Sequence, residues 1–415
     1  MTDLLPQGSD AASKGRTRAL LVTELFPPAV GGSAVLFQGI YSRLANTDVT
    51  VLTDEQTSPT GPFDPLPGGR IVRRSIAMAE WGVLNRSARH HLRVARYIRE
   101  LMRRSDGLVH VARAVPEGVA ALLAHAMGGP DYVCWAHGED LATASWSREL
   151  TLLTRAVLSS AWGALANSEN TAQMLESFGV PRRKITVVYP AVDAARFHPN
   201  VNGEAVRRRY AGRRDDVLLL TVGRLQRRKG HDRVIAAMHM LRDELPTLRY
   251  VIAGDGEERQ RLENLVRDFE LRDRVLFAGV VPGAELPAYY AACDIFVLAN
   301  RIEARDVEGF GIAFLEAAAA GKAAIGGNSG GVPEAVEHDV TGLLVDADKV
   351  DELAGAIRRL ALEPALRVRL GTAGRDRVEQ RFTWDRAAAA VSALQVRWAR
   401  EQDRRWGVPD DRRDS

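Results

Sequence analysis

Cysteine is scarce in this 415-residue chain: Cys134 and Cys293 are its only two. Two thiols exclude a disulfide framework, and without a CxxC pair they exclude a zinc ribbon. Both lie in apolar runs, Tyr132-Val133-Cys134-Trp135 and Ala291-Ala292-Cys293-Asp294-Ile295, which suits small buried thiols in a reducing, cytoplasmic compartment. Long hydrophobic runs are missing as well, so no segment reaches the ~18–20 apolar residues that cross a bilayer. Met1 to Arg16 is polar and lacks the apolar stretch of a secretory signal, and loose tails are expected over 1–17 and 402–415. Excess charge is small: 56 basic against 53 acidic side chains, a net of +3, does not make a dedicated nucleic-acid binder. No repeat of 20–50 residues occurs. No phosphate-binding loop of the G-x-x-x-x-G-K-[ST] type occurs, because Ala323 follows Gly321-Lys322 and Glu316 stands where the first glycine would be. The first apolar strand is followed by Phe26-Pro27-Pro28-Ala29-Val30-Gly31-Gly32-Ser33 and not by G-x-G-x-x-G, so a standard dehydrogenase is not supported either.

What the chain does have is 46% hydrophobic residues, enough for two sizeable cores. Short β-branched runs alternate with helical pattern throughout. Strands are expected at Ala19–Thr23, Val49–Thr53, Leu108–Ala112, Tyr132–Ala136, Gly163–Ala166 and Ile185–Tyr189 in the first half. In the second half they are expected at Val217–Val222, Arg249–Ala253, Val275–Ala278, Ile295–Leu298, Ala323–Ile325 and Gly342–Val345. Repeated strand–helix units specify parallel sheets covered on both faces, an α/β class. Twelve strands are too many for one ordinary doubly wound sheet. The segment Pro190 to Asp216 is poor in apolar periodicity and reads as a linker. The expected organisation is two Rossmann-like domains, 18–195 and 212–383, facing each other across a cleft, with ligands outside the carboxyl ends of the strands.

The positive excess is local. Residues 1–200 hold 21 basic and 18 acidic side chains, whereas 201–415 hold 35 of each. Arg70 to Arg104 alone carries ten Arg against Glu80 and Glu100. Within it Ala88, Leu92, Ala95, Ile98 and Met102 recur at helical spacing, with Arg89, Arg93, Arg96 and Arg99 between them. Such a helix fits an anionic membrane surface, and it equally fits a packed helix with a solvated basic face; periodicity separates neither reading.

Four segments carry chemistry. Gly31-Gly32-Ser33 opens a helix with no side chain to block an anion at its amino end. Gly223-Arg224-Leu225-Gln226-Arg227-Arg228-Lys229-Gly230 puts Arg224 and Lys229 past a strand end, where two fixed cations can neutralise a diphosphate. Val307-Glu308-Gly309-Phe310-Gly311 leads into a helix bearing Glu316; a carboxylate in that apolar stretch needs donors, and a sugar or ribose diol supplies them. His137 follows a strand and precedes Gly138, although a lone histidine at such a place is as often structural.

Together these pieces resemble the retaining GT-B glycosyltransferases of family 4. The matching segments are Gly223-Arg224-Leu225 with Lys229-Gly230, Ala253-Gly254-Asp255-Gly256, Phe277-Ala278-Gly279, the E-x7-E pair Glu308 and Glu316, and Gly330-Gly331-Val332-Pro333-Glu334. The first half adds Gly31-Gly32, His137-Gly138, Asn167-Ser168 and Val188-Tyr189-Pro190. The likeness covers residues 18–390, and Asp306-Val307-Glu308-Gly309-Phe310-Gly311 is especially similar to the phosphatidylinositol-mannoside mannosyltransferases, which use GDP-mannose.

The resemblance implies a set of roles. Arg224 and Lys229 would bind the donor diphosphate, Glu316 the ribose, and Glu308 the donor sugar, helped by the amides of Gly309, Phe310 and Gly311. His137 would lie at the reaction centre, Gly31 and Gly32 near the phosphates and acceptor, and Gly279 and Val280 at the nucleobase. The last helix, 384–401, would cross back to the first domain. The implied reaction is metal-independent hexosyl transfer with retention, best matched by mannose from GDP-mannose passed to a lipid-linked or polysaccharide acceptor. No cofactor is implied beyond the donor substrate. Peripheral contact with the inner face of an anionic membrane through Arg89, Arg93, Arg96 and Arg99 fits such an acceptor. A UDP-sugar donor such as UDP-glucose or UDP-GlcNAc is the alternative, followed by a non-catalytic nucleotide-sugar-binding protein. One departure is Ala323, two residues after Gly321, where the family commonly has proline, which predicts a looser start to the next strand. Asp346-Ala347-Asp348 spells a metal motif of another glycosyltransferase fold but reads as a surface turn.

Overall fold

The computed structural model describes residues 16–29, 31–55, 66, 68–78, 86–103, 106–303 and 306–406. Most of the two expected tails, and residues 79–85 and 104 of the arginine-rich segment, lie outside the described residues. Strands β1 (Thr17–Val22), β2 (Thr47–Thr53), β3 (Arg70–Arg73), β4 (Leu108–Val111), β5 (Tyr132–Ala136), β6 (Gly163–Ala166) and β7 (Ile185–Val187) form one sheet, ordered β3-β2-β1-β4-β5-β6-β7. Strands β8 (Val217–Val222), β9 (Leu248–Ala253), β10 (Val275–Gly279), β11 (Ile295–Leu298), β12 (Ala323–Gly327) and β13 (Gly342–Val345) form the second, ordered β10-β9-β8-β11-β12-β13. The order reverses beside the first strand of each sheet, which is the doubly wound, Rossmann-like arrangement, and the recorded ladders are parallel.

The second sheet shows why its strands read as unbroken apolar runs. Side chains alternate between faces, and helices cover both. Leu219 of β8 packs in one core with helices His231–Met240, Arg259–Asp268 and Val350–Leu362. Its neighbours Leu218 and Leu220 pack in the opposite core with helices Leu286–Ala292 and Ile312–Ala319. A strand serving two cores has no polar face to reveal its period.

The twelve expected strands are present to within a residue or two at their ends. Strand β3 was not among them. Its sequence Arg70-Ile71-Val72-Arg73 is short and charged at both ends, as suits the edge of a sheet, where it pairs only with β2.

By packing, the chain divides into two compact units, one of residues 1–134, 160–163 and 388–415, the other of 135–159 and 164–387. The last helix, Trp384–Trp406, therefore returns to the first unit from Ala388 onward. There Gln395 Nε2 pairs with His110 at 2.9 Å, and the other nitrogen of His110 meets the Tyr41 hydroxyl at 2.8 Å. Trp398 and Gln402 both donate to Asp131, at 3.3 and 2.6 Å, and Glu401 accepts from Trp162 at 2.9 Å.

The arginine-rich helix, Arg86–Leu101, belongs to the first unit. It buries His91, Val94, Ala95 and Ile98, and leaves Arg89, Arg93, Arg96 and Arg99 exposed. The apolar stripe is thus used internally. Ala95, Ile98 and Met102 of the expected stripe are buried, but Leu92 is 40% exposed, and His91 and Val94 are buried in addition.

Candidate active site

The site is built where the second sheet's central strands end. Strand β8 runs out through Gly223 and Arg224 into a tight turn, Arg227–Lys229, closed by Gly230. Gly230 has φ +69°, and a Cβ there would lie 1.9 Å from the Ala299 carbonyl oxygen, so this turn accepts no other residue without rearrangement. Adjacent strand β11 ends at Leu298, and the Arg301 amide donates to the Arg228 carbonyl at 2.9 Å. Arg228, Lys229 and Asn300 are thereby held together at the carboxyl ends of neighbouring strands.

Glu308 enters this group from the loop ahead of helix Ile312–Ala319 and is buried. Its Oε2 accepts from Arg228 Nη1 at 2.8 Å and Asn300 Nδ2 at 2.9 Å, and it also pairs with the Lys229 ammonium. Burial alone would raise this carboxyl, but the Lys229 and Arg228 charges outweigh it and hold Glu308 below the usual carboxylate range. The Glu308 carbonyl accepts from the Gly331 amide at 2.9 Å, which fixes its backbone.

Gly309 lies against His137. A Cβ at Gly309 would fall 1.8 Å from the His137 carbonyl oxygen, which itself accepts from Asn167 Nδ2 at 3.2 Å. The His137 amide donates to Asp140 Oδ1 at 2.9 Å, and its ring lies parallel to Trp135 with centroids 6.2 Å apart. Phe310 is buried against Tyr189 and Phe382. Gly311, at φ +93°, starts the helix, whose positive end lies beside Glu308 and Gly309. One turn on, the half-buried Glu316 accepts from the Tyr290 hydroxyl at 2.6 Å. Burial pushes the Glu316 carboxyl up to about 7, against the opposing pull of Tyr290 and Arg196.

The remaining expected residues are more dispersed. The Arg224 side chain is exposed, although its carbonyl is tied to His231 Nε2 at 3.2 Å. Gly279 ends β10 in a left-handed conformation, with its carbonyl accepting from the Gly254 amide at 2.7 Å, and Val280 beside it is 75% exposed. Gly31 and Gly32 start helix Gly32–Tyr41 in the first unit, and the neighbouring Val30 lies outside the described residues. Among the described residues no three His, Cys, Asp or Glu side chains form a metal site. Asp346 and Asp348 are exposed and paired with Lys349 and Arg233.

Residues 203–377 match the family profile described as "Glycosyl transferases group 1", and residues 30–196 match "Glycosyltransferase Family 4". A protein of Mycobacterium tuberculosis, "GDP-mannose-dependent alpha-(1-6)-phosphatidylinositol monomannoside mannosyltransferase", is 32% identical over 386 residues, covering 91% of this chain and 97% of its own. The chain belongs to glycosyltransferase family 4. Its fold is shared with solved structures: the sucrose-phosphate synthase of Thermosynechococcus elongatus superposes with a TM-score of 0.78 at 23% identity, over 93% of this chain and all of that one. Anabaena HepE in complex with UDP-glucose gives 0.74 at 18% identity, over 91% of this chain and 99% of that one.

Three members of this glycosyltransferase's site escaped the sequence reading. Arg228 sits in an Arg-Arg-Lys run whose exposed and buried members look alike on paper; only the strained Gly230 beside it hints at tight packing. Asn300 carries no local motif. Tyr290 stands on helix Leu286–Ala292, outside every family segment, and meets Glu316 only through the fold. Ala323, standing where the family commonly has proline, does not loosen β12: it is buried and pairs with Ile295 of β11.

Proposed function

We propose that this family-4 glycosyltransferase moves mannose from GDP-mannose to a lipid-linked or polysaccharide acceptor, with retention at the anomeric carbon and without a metal ion. The observation that carries this reading is the 32% identity to the mycobacterial GDP-mannose-dependent enzyme across 97% of that enzyme's length. The Glu308 cluster supports it, because a carboxylate held ionised beside a helix amino end is suited to grip sugar hydroxyls as charge develops at the anomeric carbon. Arg224 and Lys229 take the diphosphate, and Glu316 the ribose. The amides of Gly309, Phe310 and Gly311 assist at the sugar, with His137 alongside. Gly279 and Val280 frame the base, and Gly31 and Gly32 serve the acceptor side. The leaving phosphate oxygen takes the acceptor proton, so the protein need supply no nucleophile and works by positioning and charge. The exposed Arg89, Arg93, Arg96 and Arg99 hold the enzyme to the inner face of an anionic membrane, where a lipid acceptor resides.

The test supplies GDP-mannose, UDP-glucose or UDP-GlcNAc with a phosphatidylinositol monomannoside acceptor, and follows nucleotide release and lipid product. GDP release with an α-mannosylated lipid is expected. Turnover confined to a UDP-sugar overturns the donor assignment, and a β-linked product overturns retention.

A further inference from the structure

Arg228 is buried, with its side chain only 8% exposed, yet it meets three carboxylates. Its Nη1 donates to Glu308 at 2.8 Å, its Nη2 to Glu139 at 3.1 Å, and its Nε lies 3.0 Å from Asp306. A guanidinium spreads its donors over a rigid plane and keeps its proton, which a lysine at the same place would do less well. Burial would lower the Arg228 pKa, and the three carboxylates more than offset it, so the group stays charged. Lys229 also contacts Glu308, but one ammonium cannot fully serve both Glu308 and an entering diphosphate. Glu308 directs Oε2 to all three protein donors, which leaves Oε1 without a protein donor among the described residues.

We propose that Arg228, seconded by Asn300, is a positioning residue that keeps Glu308 ionised and fixed through Oε2 when Lys229 turns to the donor diphosphate, leaving Oε1 for a sugar hydroxyl. This rests on the donor-sugar role given to Glu308 above. The groups facing Glu308 are Arg228 and Lys229 from the turn, Asn300 from the end of β11, and Asp306 from its own loop, with Glu139 reaching the cluster through Arg228. Without Arg228, the half-buried Asp306 loses its cation and Glu308 keeps only Lys229 and Asn300. Asp306 shows the tension already: burial raises its carboxyl, Arg228 pulls it down, and Glu139 and Glu308 push it up, for a net rise. Removing that cation raises both carboxyls, so Glu308 carries less charge near neutral pH once Lys229 serves the diphosphate.

The experiment compares parental enzyme with R228Q, R228K and R228Q/D306N, using whichever sugar nucleotide the parent turns over. R228Q is expected to lower kcat about 10²-fold, with donor KM changed only a few-fold and the acidic limb of the kcat–pH profile moved upward. R228K should recover part of kcat. R228Q/D306N should move the acidic limb back down by removing the competing carboxylate. Near-parental kcat in R228Q, or a fall in kcat with an unmoved acidic limb, overturns the proposal. Should R228Q fail to fold, R228K is read instead: a kcat below parental with donor KM changed only a few-fold supports the role, and parental kcat refutes it. Parental turnover of a UDP-sugar alone would fail the donor assignment and leave the Arg228 comparison intact.

Discussion

Replacing Glu316 with Gln should change how both stability and donor affinity depend on pH, in opposite senses. The carboxyl is lifted from 4.5 to about 7, chiefly by burial. Between those values the folded protein holds a proton that the unfolded chain has lost, so the contribution is fully present below about 4.5 and disappears as pH rises through 7. A shift of that size corresponds to about 3 kcal/mol, reduced to roughly 2 because the side chain keeps some access to water. Gln carries no such proton, so E316Q should melt near the parental temperature at pH 5 and several degrees above it at pH 8. Donor binding runs the other way. Ribose hydroxyls donate best to the ionised carboxylate, and at pH 6 only about a tenth of a group with pKa 7 is ionised. The parental Kd for GDP-mannose, a diphosphate diester with no ionisation of its own in this range, should therefore tighten about tenfold from pH 6 to pH 8. E316Q should bind weakly and flatly across the same range. Thermal melts and titration calorimetry at four pH values decide the matter. Parallel parental and E316Q melting curves, together with a flat parental Kd, would refute both the elevated carboxyl and its contact with ribose.

R224A and K229A should each lower kcat by about 10²-fold with the fold intact by circular dichroism, since each removes a charge proposed to meet the leaving diphosphate; near-parental turnover in either would move the diphosphate elsewhere. Turnover should persist in EDTA, because these two cations and the helix starting at Gly311 meet the leaving-group charge, and activity lost to chelator and restored by Mg²⁺ or Mn²⁺ would contradict that. Liposomes containing anionic lipid should sediment the enzyme at low salt and release it at high salt, with the Arg89, Arg93, Arg96 and Arg99 to Gln variant staying in the supernatant yet binding nucleotide normally. A parental protein that ignores such liposomes would leave the basic face to solvent alone.

Strand existence was legible because β-branched apolar runs recur between helical stretches, and the E-x7-E spacing placed Glu308 and Glu316 correctly around one helix start. What local pattern could not carry was partnership. Arg227, Arg228 and Lys229 are alike in the sequence, yet Arg227 is exposed and Arg228 is buried among three carboxylates from two separate segments. Tyr290 and Glu316 stand on different helices, and their hydrogen bond exists only because both face one core. Arg70–Arg73 was missed for a related reason: an edge strand needs little hydrophobic pattern when its neighbour supplies the ladder. That the Arg86–Leu101 helix buries His91 and Val94 while leaving Leu92 40% exposed could not be foretold from the periodicity of Leu and Ala.

The returning helix sets an order of events in the making of the protein. Residues 1–134 leave the ribosome first, yet His110 and Asp131 in that stretch wait for Gln395, Trp398 and Gln402, which are synthesised more than two hundred and fifty residues later. The unit begun first is therefore completed last, while the intervening 164–387 can finish its own cores beforehand. A nascent chain arrested before residue 395 would hold a finished second unit joined to a first unit missing its closing helix. A protease cut or stop codon in that helix should accordingly act on the solubility of the first unit sooner than on the recognition of nucleotide by the second.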